Sequence, residues 1–213
     1  GNGQTDLIDV ITGFENEYDG TVIIGGKEFR AQDGVAKRRL QGLMHIPEDR
    51  QKYGLVLDYP LEKNCVIQRY FEPAFQRRGF IRRKTVRQYA EKLIKQFDIR
   101  SGQGGKTILR SMCGGNQQKA IVAREIEEHS KLIIFVQPTR GLDIGAIENI
   151  HRQIIAERDK GVAILLISLE LDEIMELADT IGVIYNGQLL KIADASTMTS
   201  HDVGKYMMGV KEA

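Results

Sequence analysis

The chain has 213 residues, of which 42% are hydrophobic, and a formal net charge of +1, enough for one substantial core with a small inserted subdomain and hardly for two independent domains. The near-neutral charge gives no global pull toward nucleic acid or acidic surfaces. No apolar run approaches the roughly 18 residues needed to cross a bilayer and no signal-peptide pattern is present, so a membrane role is expected to run through a partner.

Gly1-Asn2-Gly3-Gln4-Thr5 runs directly into a short helix predicted over residues 6–11 and ended at Gly13. A phosphate-binding loop normally follows a buried strand. None precedes this one, so N-terminal strands are expected to be missing from the sequence. Asp19-Gly20 turns into a strand at 21–24, Gly25-Gly26 reads as a tight hairpin loop, and 43–46 is a further strand stopped at Pro47. From about Leu61 to Leu109 the texture changes to helices with polar faces. There Val86, Tyr89, Ala90, Leu93, Ile94 and Phe97 recur at helical spacing, which sets an apolar side against a basic one. Strands at 132–136, 162–167 and 181–185 then alternate with helices over about 146–158 and 172–178. Continuous apolar strands in such alternation argue for a mainly parallel sheet covered by helices. Asn186-Gly187 joins the last strand to 188–193 as a hairpin.

Two stretches carry chemistry. Gly3 and the amides after it present N–H groups at a helix N-terminus, where aligned dipoles favour an anion, although a plain glycine turn uses the same residues. Cys113-Gly114-Gly115-Asn116-Gln117-Gln118-Lys119 sets two glycines, which let backbone approach a phosphate, ahead of a helix over 116–126. Its bland alternative is a glycine turn capped by Asn116. Cys65 and Cys113 have neither metal-ligand nor framework spacing and read as reduced thiols of a cytosolic protein. His45, His129, His151 and His201 are scattered, so no histidine metal site is expected.

Further runs complete a compound pattern: His45-Ile46-Pro47-Glu48-Asp49-Arg50-Gln51-Lys52-Tyr53-Gly54-Leu55, Gln137-Pro138-Thr139-Arg140-Gly141-Leu142-Asp143, and Ser168-Leu169-Glu170-Leu171-Asp172-Glu173-Ile174. Together with the two stretches above, the chain resembles over essentially its whole length the second, degenerate nucleotide-binding half of the tandem ATPase subunit of carbohydrate- and nucleoside-type ABC importers. The resemblance implies an α/β P-loop NTPase fold: a core of residues 1–60 and 116–213, with a helical signature subdomain inserted at 61–115. It also implies ATP and Mg²⁺ as cofactors. Gly1, Asn2, Gly3, Gln4 and Thr5 would form the phosphate loop, with the Thr5 hydroxyl as a weak Mg²⁺ ligand. Cys113, Gly114, Gly115, Asn116 and Gln117 would form the signature that faces ATP held by a partner half, and Asp143 would lie in the loop after the Walker B strand. Glu48, Asp49 and Arg50 would couple nucleotide state to a permease.

Four positions depart from a working site. Gln4 replaces the lysine that would sit on the β- and γ-phosphates, and the lost charge-assisted contact costs about 1.5–3 kcal/mol. Val136 and Gln137 stand where the family has a Mg²⁺-holding Asp and a water-polarising Glu, and Leu169 stands where it has a His against the γ-phosphate. The expectation is a half whose own site binds nucleotide weakly and does not hydrolyse it, while its signature serves the intact site of the other half. Met112-Cys113 departs from the usual Leu-Ser, and a thiol is a poorer donor to phosphate.

The implied partners are the first nucleotide-binding half or a second ABC domain, transmembrane permease subunits and, indirectly, a solute-binding lipoprotein. The implied place is the cytoplasmic face of the membrane, held peripherally. Arg77, Arg78, Arg82, Arg83, Lys84 and Arg87, with Phe75 and Phe80 interleaved, read as a solvated helical face, or as a surface toward membrane subunits; nucleic acid is not expected. Two other functions fit the residues. One is a non-hydrolysing pseudo-ATPase that dimerises or regulates. The other is a soluble ABC protein of ribosome or DNA, against which the 48–55 loop argues.

Overall fold

The computed structural model describes residues 2–126 and 130–210, so Gly1 and His129 lie outside the described residues. In chain order come α1 (Gln4–Thr12), the hairpin β1 (Val22–Ile24) and β2 (Lys27–Phe29), α2 (Val35–Leu40), β3 (Leu43–Ile46) and α3 (Leu61–Val66). The small hairpin β4 (Gln76–Arg77) and β5 (Phe80–Ile81), α4 (Arg83–Gln96), α5 (Gly114–Ile126) and β6 (Leu132–Val136) follow. The chain continues through α6 (Ile144–Asp159), β7 (Ala163–Ile167), α7 (Leu171–Leu177), the hairpin β8 (Thr180–Tyr185) and β9 (Gln188–Asp194), and α8 (Ser200–Met207).

The central sheet has the order β3-β6-β7 with both pairings parallel. Leu132 to Val136 run beside Ala163 to Ile167 in register, the neighbour relation that the strand-helix alternation predicts. Ile133, Ile134 and Phe135 are wholly buried, as a run covered on both faces must be. On one face Leu61, Cys65, Leu93 and Leu109 share a cluster with Ile121, Ile133, Phe135 and Ile150. On the other, Ile8 of α1 packs with Phe29, Leu43, Ile134 and Val136. The β8–β9 hairpin has its own small core, in which Ile181 and Val183 meet Val203 and Tyr206 of α8.

The periodicity of α4 holds, with Val86, Ala90 and Leu93 buried. α5 begins at Gly114 rather than at Asn116. α6 starts at Ile144 because Asp143 Oδ1 accepts the Ala146 N–H at 2.9 Å and caps it. The basic cluster is a correction: Arg77 and Arg78 lie on the β4–β5 hairpin, and only Arg83, Lys84 and Arg87 stand on α4. The cause is local. Arg78 and Gly79 take φ of 52° and 84°, the paired left-handed conformation of a tight hairpin turn. Among the described residues no helix is long and apolar enough to cross a membrane.

Candidate functional site

The loop ahead of α1 is tied to the β8–β9 turn. Gly3 has φ of 103°, and a Cβ there would come 3.1 Å from Gly187 Cα, so both its conformation and its space require glycine. The Asn2 carbonyl accepts the Gly187 N–H at 2.8 Å, and its Oδ1 accepts the Asn186 N–H at 3.3 Å. α1 has no side-chain cap, which leaves its leading N–H groups for an outside acceptor. Gln4 folds back on this loop: its Oε1 accepts the Asn2 N–H at 2.9 Å, so that backbone N–H is engaged within the loop. α1 carries Asp6 and Asp9 and no cation. Burial, then the charges of Asp6 and Glu15, push the Asp9 carboxyl above its ordinary range.

The end of β6 is built from packing and backbone ties. Val136 is buried in the cluster that holds Ile8, so hydrocarbon fills the position. Gln137 follows in the left-handed region at φ 49° and is only 9% exposed. Its N–H donates to Ile167 O at 2.8 Å, and its Oε1 accepts the Leu169 N–H at 3.4 Å. The amide thus ties the ends of β6 and β7 together; it can orient a water but cannot take its proton. Leu169, 64% exposed, offers only hydrocarbon to solvent.

The glycine pair at the start of α5 is approached by Arg50 on one side and by Asp143 and Ala146 on the other. A Cβ on Gly114 would lie 2.7 Å from Arg50 Nη2, and one on Gly115 would lie 3.3 Å from Ala146 Cβ and 3.8 Å from Asp143 Oδ2. Arg50 Nη1 donates to Arg140 O at 3.1 Å, and the Arg140 guanidinium pairs with Glu48. Gln117 is buried, donating to Leu109 O at 2.9 Å and accepting from Gln51 Nε2 at 3.2 Å. Asn116 does not cap α5: its Oδ1 accepts the Arg100 N–H and its Nδ2 donates to Cys113 Sγ. Those Asn116 groups, backbone first, with the Gly115 N–H, hold the Cys113 thiol below its ordinary value.

A cleft of about 470 Å³ lies between α1 and the 45–53 stretch, with Thr5, Asp9, His45, Glu48, Tyr53 and Val136 on its walls. An ionic group forms part of it. Glu125, fully buried, is held by Arg39 at 2.9 Å and Arg124 at 2.8 Å. Burial works to raise its carboxyl, and the two guanidiniums outweigh that and bring it below the usual range. His45 Nε2 is buried without a hydrogen-bond partner, and burial holds the imidazole below its ordinary value.

The predicted site residues therefore fall into three groups. Asn2, Gly3 and Gln4 meet the β8–β9 turn. Thr5, Glu48, Asp49 and Val136 line the cleft. Arg50, Cys113, Gly114, Gly115, Asn116, Gln117 and Asp143 gather at the start of α5. Gly1 lies outside the described residues. Arg140 and Gln51 join the last group; both stand inside quoted motifs, but nothing in the spacing announces the ion pair of Arg140 with Glu48. Val136 leaves no carboxylate at the end of β6, so the oxygens that share the cleft with the Thr5 hydroxyl include those of Asp9, Thr12, Glu48 and Asp49. Among the described residues no group of three or more His, Cys, Asp or Glu is placed to hold a metal.

No family model matches the chain. The nucleoside import ATP-binding protein NupA of Lactococcus lactis subsp. cremoris is 43% identical over 209 residues, covering 98% of this chain and 41% of that protein. The guanosine import ATP-binding protein NupO of Bacillus subtilis is 40% identical over 211 residues, covering 98% of this chain and 41% of that protein. The chain thus spans less than half the length of these curated relatives. The ATP-binding cassette MJ0796, in a dimeric post-hydrolysis state bound to ADP and Pi, superposes with a TM-score of 0.74 at 16% identity, over 91% of this chain and 81% of that chain.

Proposed function

The chain has the fold of an ABC ATPase cassette and relatives among the ATP-binding proteins of nucleoside and sugar import, and on that premise we propose that it is the degenerate nucleotide-binding half of an importer ATPase. Its role is to complete the ATP site of an intact partner half. One observation carries the reading: the glycine pair of α5 has Arg50 and Asp143 beside it, while Val136 is core and Gln137 is engaged with Leu169.

ATP brings its own phosphate charge and, with Mg²⁺ from the partner's site, the group to be transferred. This chain's contribution is positioning. Gly114 and Gly115 let backbone N–H groups of α5 approach the γ-phosphate, and the helix dipole favours that anion. Asp143 and Ala146 fix the distance of α6 from this turn. The stretch Glu48-Asp49-Arg50 runs from the cleft to the signature, so displacement of one end is felt at the other. A cytoplasmic segment of a permease subunit occupies the cleft in this reading, which sets the chain peripherally at the cytoplasmic membrane face. Residues 61–115 act as the helical signature segment of the core formed by 1–60 and 116–213. A solute-binding lipoprotein and the permease select the nucleoside or sugar.

A pseudo-ATPase that binds a partner without promoting turnover is the second reading, favoured by the closure of Gln4 on Asn2. Phosphate release should be measured for the chain alone and for a tandem subunit that includes an intact half. Negligible release alone and turnover in the tandem that is lost on Gly115→Leu support the proposal. Turnover unaffected by that change transfers the case to the second reading, and full turnover by the chain alone overturns both.

A further inference from the structure

The β4–β5 hairpin is a projection of uncommon composition. Its tip is Arg77-Arg78-Gly79-Phe80, and Phe80 is 80% exposed, with Ile81, Tyr70 and Phe71 also exposed beside it. The carboxylates of the surrounding segment are already engaged. Glu62 accepts from Arg87, Glu72 from Arg69, and Glu91 from the Gly105 N–H. Among the described residues Arg77, Arg78, Arg83 and Lys84 have no side-chain partner, and the Arg82 guanidinium donates only to Ala74 O. Five cations and four exposed apolar side chains therefore share one small surface without an opposing charge.

The hairpin is also braced. Phe75 is buried at its base against Tyr89, with ring centroids 5.0 Å apart, and the Arg82 N–H closes the base on Phe75 O at 2.8 Å. Within it, Gln76 Oε1 accepts the Gly79 N–H at 3.0 Å, and its Nε2 donates to Phe71 O at 3.1 Å. The exposed rings are held outward by a fixed frame, so little ordering is lost when they meet a partner. The stretch leading to the hairpin includes Gln68, which lines the same cleft as Glu48 and Tyr53.

We propose that this hairpin docks on the anionic headgroup surface of a membrane, with Arg77, Arg78, Arg82, Arg83 and Lys84 on lipid phosphates and carboxylates and Phe80 at the headgroup boundary. Charge complementarity selects the occupant: each unpaired cation near an anionic leaflet adds roughly five-fold in partition. The rings favour lipid over nucleic acid, because a convex turn enters an interface whereas a strand of nucleic acid is tracked by a groove with stacking platforms. The inference rests on the importer reading only for which face of the chain meets the membrane.

Co-sedimentation of the chain with phosphatidylcholine vesicles, with and without phosphatidylserine, tests it. The expected result is binding to the anionic vesicles alone, weakened by salt. Arg77→Glu with Arg78→Glu should reduce it at least ten-fold. Phe80→Ser should reduce it several-fold while leaving the salt dependence in place. All three positions are exposed, and an unchanged melting curve confirms that the variants fold. Equal binding to both vesicle types, binding indifferent to the charge reversals, or tighter binding to a single-stranded oligonucleotide than to anionic vesicles overturns the proposal. Vesicle binding needs no ATP and no partner half, so its failure leaves the phosphate-release result standing, and the converse holds.

Discussion

Arg50 lies against the backbone of Gly114, such that a Cβ on the glycine would come within 2.7 Å of the guanidinium Nη2. The same guanidinium reaches Arg140 O through Nη1, and Arg140 pairs with Glu48. The cleft wall and the first turn of α5 are thus joined through two side chains, Arg140 and Arg50. Arg50→Ala should lower ATP-driven uptake by a tandem subunit by about ten-fold or more, while its melting temperature falls by only about 2–4 °C for a change near 1 kcal/mol. A double-mutant cycle with Gly114→Ala should show coupling of about 0.5–3 kcal/mol. Strict additivity in uptake would remove Arg50 from the coupling path.

Gln137→Glu should not restore hydrolysis. The new carboxylate keeps its place beside the Leu169 N–H, so the fold survives, and a base is then present. The strand end remains hydrocarbon at Val136, and the Leu169 side chain still offers no hydrogen bond. Phosphate release by the variant chain alone should stay at background. A rise to the rate of an intact cassette would show that the other replaced positions are unimportant.

The two thiols should separate cleanly under alkylation. Burial pushes the Cys65 thiol up to about 12, and the side chain is inaccessible as well. The backbone and side chain of Asn116, with the Gly115 N–H, lower that of exposed Cys113. Since the thiolate is the reacting species, iodoacetamide should label Cys113 in the native chain and reach Cys65 only in denaturant, as read by peptide mass spectrometry. The Cys113 rate should level off below the ordinary thiol range, and Asn116→Ala should move that plateau to higher pH.

Much of the sheet was legible because its signals are local. The apolar runs of β6 and β7, the Asn186-Gly187 turn and the helical period of α4 each depend on a few neighbouring side chains. The glycine pair was legible as the approach to α5 for the same reason. The return of Gln4 onto Asn2 and the seat of Arg50 on Gly114 were not, since both depend on rotamers and on loops far apart in sequence. The hairpin at Arg78-Gly79 was hidden differently. An Arg-rich run leading into a helix carries the same composition as the helix, and only the paired left-handed residues end the resemblance. The start of α8 is equally local, set by the capping box between Thr199 and Asp202.

His45 should steepen the loss of stability in acid. Burial, aided by Arg39 and opposed by Glu125, lowers its folded-state pKa. As pH falls, the unfolded chain takes up the proton first, so the contribution is complete above about pH 6.5 and is lost as pH drops toward the lowered folded value. His45→Phe should flatten this limb of a plot of unfolding free energy against pH, from denaturant titrations. An unchanged limb would assign the acid loss to other groups.

The start of α5 should matter more to transport than the start of α1. Gly115 stands 3.3 Å, by its would-be Cβ, from Ala146 Cβ and near Asp143. A Leu there must push α6 away or block the backbone from the phosphate. Gln4 is already turned inward on Asn2, and the cation that would make its position critical is absent. In a tandem subunit Gly115→Leu should therefore abolish uptake and phosphate release, while Gln4→Ala should change them by less than about three-fold, the loss of one weak neutral hydrogen bond. Gln4→Lys supplies the other side of the argument. It should tighten nucleotide binding at this loop by about ten-fold or more, read by binding of a fluorescent ATP analogue, without adding turnover, because Val136 still closes the strand end. The reverse ranking in uptake, with Gln4 essential and Gly115 dispensable, would mean that this chain's own loop, rather than its signature, is the working part.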